Sequence, residues 1–172
     1  MVAELMLGAG LLFGCGGTPM DQQIPVSRGR GYTVALDTLG ASGIVGAPAA
    51  RVWQAVHQVL PEFGIDINFR EPETLRVGGC YQKVRTRLGK ELLSALLDCG
   101  DSRGVPNADR YEIGLTVLAT VEPTGPTTSQ LHIFVLGVGL DASGAASNRL
   151  WCYSKGVLEE RIRAVVEQRA RA

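Results

Sequence analysis

The chain has 172 residues, enough for one domain with a substantial core. Its 17 basic and 17 acidic residues cancel, which excludes the broad positive field used by nucleic-acid and anionic-membrane binders. Glycine is abundant, at 22 residues, and aromatics are few, at 6%, a balance that suits strands and tight turns better than a helical bundle.

Residues 5–14 form an apolar run without polar periodicity. It is too short to cross a bilayer, which takes about 20 residues, but fits the roughly 7 to 15 of a signal-peptide core. A buried N-terminal helix is the alternative, although such a helix should show a polar face and this run has none. Leu12, Gly14 and Cys15 follow in the order Leu-Phe-Gly-Cys, which resembles the lipobox of bacterial lipoproteins. The resemblance implies removal of residues 1–14 and a lipid on the Cys15 sulfur. Residues 15–31 are rich in Gly, Pro, Ser, Gln and Arg and predict a flexible tether, leaving 32–172 as a single domain.

With Cys15 lipidated, Cys80, Cys99 and Cys152 remain, an odd number in an oxidising compartment. Cys99 and Cys152 each end an apolar segment at a polar turn and are the preferred disulfide pair. Neither a Cys-x-x-Cys segment nor clustered histidines occur, so no metal or cofactor is expected.

Tyr32, Val34 and Leu36 alternate as on a half-buried strand over Tyr32–Asp37, before a Gly-rich turn. Pro48 suits a helix first turn, and Val52, Val56, Val59 and Phe63 follow at helical spacing until Pro61 and Gly64 end or kink the helix near Leu60. His57 falls toward its polar side. Ile65, Ile67 and Phe69 predict a strand over 65–70, turning at 71–74 into a returning strand at Leu75 and Val77, with Gly78-Gly79 as a bulge. Lys83, Arg85 and Arg87 alternate with Val84, Thr86 and Leu88, so one strand face would carry three cations. That row is either an anion-binding face or a solvated edge.

Glu91–Leu97 predicts a short helix presenting Leu92, Leu93, Leu96 and Leu97. Asp98, Asp101, Asn107 and Asp109 follow in a loop that lacks the calcium-loop order. Tyr111–Glu122 alternates throughout and predicts a strand, which turns at 123–128 into a partner over Leu131–Leu140. That partner is apolar on both faces, because Phe134, Leu136 and Val138 oppose Leu131, Ile133 and Val135. Something must cover the second face: a segment of the same chain, a small ligand, a protein partner or a membrane. A turn over Asp141–Asn148, a short strand at Leu150–Cys152 and a helix capped by Ser154 complete the chain. The helix would bury Leu158, Ile162, Val165 and Val166 and pair Glu159 with Arg163.

Antiparallel strands with one apolar face and two long amphipathic helices predict an α+β two-layer sandwich of the helix-grip kind. The helix at Val52–Leu60 leading through Gly64 into Ile65-Asp-Ile-Asn-Phe, the terminal helix around Leu158–Ile162, and the lipobox together resemble the helix-grip domains of a lipoprotein component of the bacterial β-barrel assembly machinery. Leu97–Gly100 and Cys152–Glu159 also look like segments of small envelope lipoproteins. These likenesses imply a lipid-anchored, non-enzymatic module in the periplasm that engages another envelope protein and no nucleic acid. Gly16 after the lipidated cysteine favours the outer membrane. A carrier of a small apolar ligand and an envelope hydrolase built on His57 or His132 are the alternatives.

Overall fold

The computed structural model describes residues 40–140 and 150–172. Thr33–Ala172 forms one compact unit, to which all of these belong. The expected signal segment, Cys15, the tether, the strand Tyr32–Asp37 and the turn Asp141–Asn148 lie outside the described residues.

The centre of the domain is a long hairpin of β9 (Glu112–Gly125) and β10 (Thr128–Leu140), joined through Pro126-Thr127. Its ladder runs from Thr128 opposite Gly125 to Leu140 opposite Glu112. The strict alternation of Ile113, Leu115, Val117, Ala119 and Val121 puts all five on one face, where they are buried with Leu131, Ile133 and Val135. On the far side of β9 lies β3 (Arg76–Arg85), itself paired with β2 (Phe69–Glu71). On the far side of β10, β1 (Ala41–Val45) takes one end of the edge and β11 (Leu150–Ser154) the other. Short strands β4 (Arg87–Leu88), β5 (Glu91–Leu92) and β6 (Leu97–Asp98) extend the sheet at its margins. A separate two-residue hairpin, β7 (Asp101–Ser102) with β8 (Val105–Pro106), turns at Arg103-Gly104, both at positive φ.

Two long helices cover the apolar face, so the domain is an α+β two-layer sandwich with an antiparallel sheet. Helix α1 (Ala49–Glu62) buries Val52, Ala55, Val56, Val59 and Leu60, side chains worth about 1.5–3 kcal/mol each for the larger ones. It continues two residues past the predicted end with Pro61 inside its last turn, where the proline forgoes one helical bond, to the His57 carbonyl. Gly64, at φ +76, then closes the helix: its N–H donates to the Pro61 carbonyl and that of Ile65 to Leu60. This is a Schellman cap, with Ile65 and Leu60 both buried. A four-residue helix, α2 (Leu93–Leu96), lies within the predicted 91–97, but Leu92 before it is exposed on β5. Helix α3 (Val157–Arg171) packs beside α1, and Arg169 reaches Glu62 at 2.5 Å.

Four expectations need correction. Ala41–Val45, expected to lie in a Gly-rich turn, is strand β1, since pairing with β10 supplies what the local sequence does not. The strand expected from Ile65 begins only at Phe69. Before it, side chains replace the ladder: Asn68 Nδ2 donates to the Cys80 carbonyl at 2.9 Å, and its Oδ1 accepts the Cys80 N–H at 2.7 Å. Ser154 does not cap α3. Its Oγ accepts the Gly156 N–H, and Gly156 occupies the N-cap position at φ +78. Finally, Arg163 pairs with Glu167 rather than Glu159.

The sheet tolerates little bulk where strands are crowded. A Cβ at Gly78 would lie 2.0 Å from the Val117 carbonyl oxygen, so β3 approaches β9 there only through glycine. The irregularity in that ladder follows immediately, between Gly79 and Gln82. The Cys99–Cys152 disulfide joins the end of β6 to the middle of β11 with a Cα separation of 4.2 Å, and both cysteines are buried. Removing it with the pair Cys99→Ala and Cys152→Ala is expected to cost about 2–5 kcal/mol, read as a lower denaturant midpoint.

Glu159 faces the core in the first turn of α3, 1% exposed, with Oε2 lacking a hydrogen-bond partner among the described residues. The helix dipole favours a carboxylate there by only about 0.3–1 kcal/mol, against about 1–3 kcal/mol for an unsatisfied buried polar atom. Glu159→Met is therefore expected to stabilise the domain by about 1–2 kcal/mol in chemical denaturation.

Candidate functional site

Residues facing away from the helices form the surface on which the sequence placed its candidates. Cross-strand register sets Leu118 opposite Phe134, Thr116 opposite Leu136 and Gly114 opposite Val138. On the other side of β10, Tyr153 lies opposite Leu136 and Trp151 opposite Val138. These residues make an apolar band across three strands. Phe134, Val138, Leu118 and Trp151 are half-buried, whereas Leu136 is only 8% exposed. Tyr81, in the irregular stretch of β3, covers Gly114, where any Cβ would fall 2.6 Å from its ring. Sequence reasoning identified the β10 residues but not Trp151 or Tyr81. Their side-chain direction follows from strand register and a bulge, which carry no local signal.

The cation row is broken by the fold. Lys83 and Arg85 share one face of β3, and both reach Glu112 of β9, at 3.3 and 3.2 Å. Thr86, at φ +58, reverses the chain, so Arg87 stands on β4 opposite Arg85, and its guanidinium donates to the Lys90 carbonyl at 2.7 Å. Two of the three cations are thus matched to a carboxylate on the neighbouring strand. Glu112 belongs to the polar face of the β9 alternation, but pairing it with Lys83 and Arg85 needs the β3–β9 register.

The two histidines are separate. His57 donates through Nδ1 to the Trp53 carbonyl at 2.8 Å, one helical turn back, and its ring meets the Trp53 ring edge-on at 4.3 Å. His132 lies on β10, with Nε2 3.8 Å from Glu122 and Ser42 opposite it on β1. A serine, a histidine and a carboxylate are therefore neighbours, but 3.8 Å exceeds hydrogen-bond reach, and all three lie on an open strand surface.

The acidic loop is spent on its own backbone. Asp98 accepts the Gly100 N–H, Asp101 that of Gly104 and Asp109 that of Ser94. Asn107 is buried, donating to the Cys99 carbonyl and accepting from Ser102. Beside it a cleft of about 180 Å³ opens between Asp98, Asp101, Pro106 and Lys155. This is below the roughly 300 Å³ at which small-molecule sites begin, and the lining is as polar as it is apolar. Among the described residues no group of His, Cys, Asp and Glu could hold a metal ion, no cysteine is a free thiol, and no helix is long and apolar enough to cross a membrane.

A comparison with protein-family models finds no match, and no curated protein is significantly similar to the chain.

The hydrogen bond from Lys83, with the charges of Lys83 and Arg85, holds the Glu112 carboxyl below its ordinary value. Because the folded-state pKa is depressed, this group stabilises the fold above its unfolded value, and the contribution is lost as pH falls through the folded one. Glu112 is solvated, so salt weakens the effect. An NMR titration of the Glu112 side chain is expected to give a midpoint below that of an ordinary Glu, raised more by Lys83→Met than by Arg85→Met.

Proposed function

We propose that this protein is an exported lipoprotein of the bacterial cell envelope, held to a membrane through Cys15 and acting as a non-enzymatic docking module for another envelope protein. The observation that carries the address is the Cys99–Cys152 disulfide. It lies within the core, and such bonds form and persist in exported proteins rather than in a reducing cytosol. The apolar run before Leu12, Gly14 and Cys15 agrees with that address.

Strand β1 is the surface offered to a partner. Among the described residues it has a neighbouring strand on one side only, β10, and it presents Ile44 at 58% exposure. An extended segment of a partner could add to that edge through backbone hydrogen bonds while covering Ile44. Phe134, Leu136 and Val138 are less available, being half-buried or buried.

Intact mass measurement of protein extracted in detergent from its own membranes tests the anchor. The expected chain begins at Cys15 and carries a thioether-linked diacylglyceryl group that reductant does not release. Cys15 found in a disulfide with Cys80, which is not a free thiol in this structure, would overturn the reading, since a thioether sulfur cannot also bond a second sulfur. For the docking role, a photo-crosslinking residue at Ile44 is expected to capture the protein that co-purifies, whereas one at Gln168, on the exposed side of α3, does not.

A further inference from the structure

A charged stripe on α3 runs beside β1, whose outer side carries no neighbouring strand among the described residues. Arg163, Glu167 and Arg171 stand at intervals of four on α3, so they form one line along the helix. That line follows β1. A Cβ on Gly43 would lie 2.9 Å from the Arg163 Cδ, and one on Gly46 would lie 3.6 Å from an Arg171 guanidinium nitrogen, so the glycines leave room for both side chains. Glu167 lies 3.9 Å from the Arg163 guanidinium and also pairs with Arg171. One carboxylate thus answers two guanidiniums, which are 32% and 57% exposed, and the stripe keeps an excess of positive charge. Val45 is buried toward the helices, so Ile44 beside it points to the opposite face, where it is exposed.

We propose that the β1 edge takes an extended segment of a partner protein in which acidic and apolar residues alternate, with carboxylates four positions apart against Arg163 and Arg171 and an apolar side chain against Ile44. The inference rests on the docking role of β1 and adds the chemistry of the segment that docks. A strand added to β1 alternates faces in step with it, so every second residue meets the α3 stripe and the others lie on the side of Ile44. Arg163 and Arg171 are eight residues apart, about 12 Å along a helix at roughly 1.5 Å per residue. Four residues of strand cover about 13 Å at roughly 3.3 Å each. The residue midway between the carboxylates faces Glu167 and is therefore neutral or basic. A second copy of this chain fits poorly. Two β1 edges paired antiparallel about a two-fold axis at Glu167 would set Arg163 of one copy against Arg171 of the other, and the two Glu167 side chains against each other.

The probes are a capped peptide Val-Glu-Val-Ser-Val-Glu-Val and its counterpart with Lys in place of both Glu, each titrated into isotope-labelled full-length protein and followed by NMR. The Glu peptide is expected to shift the amides of Ala41–Val45 and the side-chain signals of Arg163 and Arg171, and the Lys peptide to bind more weakly. Arg163→Gln or Arg171→Gln should weaken the Glu peptide about two- to fivefold, and Glu167→Gln should strengthen it by a similar factor. Added salt should weaken it too. Equal binding of the two peptides would overturn the acidic assignment while leaving β1 a docking edge. Absence of shifts at Ala41–Val45 with both peptides would overturn the inference together with the docking role. Shifts there that follow protein concentration alone, as a dimer forms on a sizing column, would make a second copy the occupant and overturn it as well. The titration uses neither lipid nor membrane, so failure of the Cys15 anchor leaves its outcome unchanged.

Discussion

The register between β9 and β10 is the constraint on which the domain depends. Thirteen cross-strand pairs follow from it, and a slip of one residue would carry Ile113, Leu115, Val117, Ala119 and Val121 from the helix face to the opposite one. Leu131, Ile133 and Val135 of the partner strand make the same demand, so both strands specify one register. The larger elements attach directly to this hairpin, β3 along β9, β1 and β11 end to end along β10, and α1 and α3 over the shared apolar face, while β2 and β4 join through β3 and β6 through β11. Ser129 ties its turn end to the start of α1 by donating to the Ala47 carbonyl at 2.7 Å, with no exposure to water.

Where elements attach, the sheet is closed by residues without bulk or by a covalent bond. Gly78 lets β3 lie against Val117, and Gly137 leaves room for β11, since a Cβ there would meet the Cys152 Cβ at 2.9 Å and Leu97 at 3.1 Å. The disulfide stands at that narrow point and joins β11 to β6, a strand of only two residues with little ladder of its own. A short margin that hydrogen bonds alone would leave prone to fraying is fixed to the core. Charged margins are held more loosely. Arg161 reaches Glu91 at 2.6 Å and Arg169 reaches Glu62 at 2.5 Å, exposed pairs of small worth that keep the helix ends in register with their neighbours.

This architecture divides the surface unevenly. The helix layer buries one face of the sheet, and the opposite face combines an apolar band with the Lys83, Arg85 and Glu112 cluster at one end and His132 with Glu122 at the other. Its chemistry is that of contact: the charged groups are matched to one another, and the apolar residues lie side by side on a broad surface. Free strand edges are a liability that proteins cover, charge or use. Here β1 remains exposed at Ile44, which is the basis for assigning it the docking role.

The sequence by itself determined the two-layer class, the long hairpin and the two main helices, where the cause is local or periodic: alternation over eleven or more residues, helical spacing of apolar side chains, and glycine or proline at the ends. It made Cys99 with Cys152 the preferred pair, and the fold joins them. Only the tertiary structure decided what short segments do. Ala41–Val45 has weak propensity and is a strand because β10 offers an edge, whereas Ile65–Asn68 alternates well and is not one, because Asn68 bonds the Cys80 backbone. The cation row dissolved for the same kind of reason, since a reversal at Thr86 and a carboxylate on another strand are invisible to spacing within one segment. Glu159 reads as a surface residue by type and by its offset to Arg163, yet packing of α3 turned it inward. Periodicity reports which face is apolar; which neighbour meets that face depends on register and packing between residues far apart in the chain, and so on the whole fold.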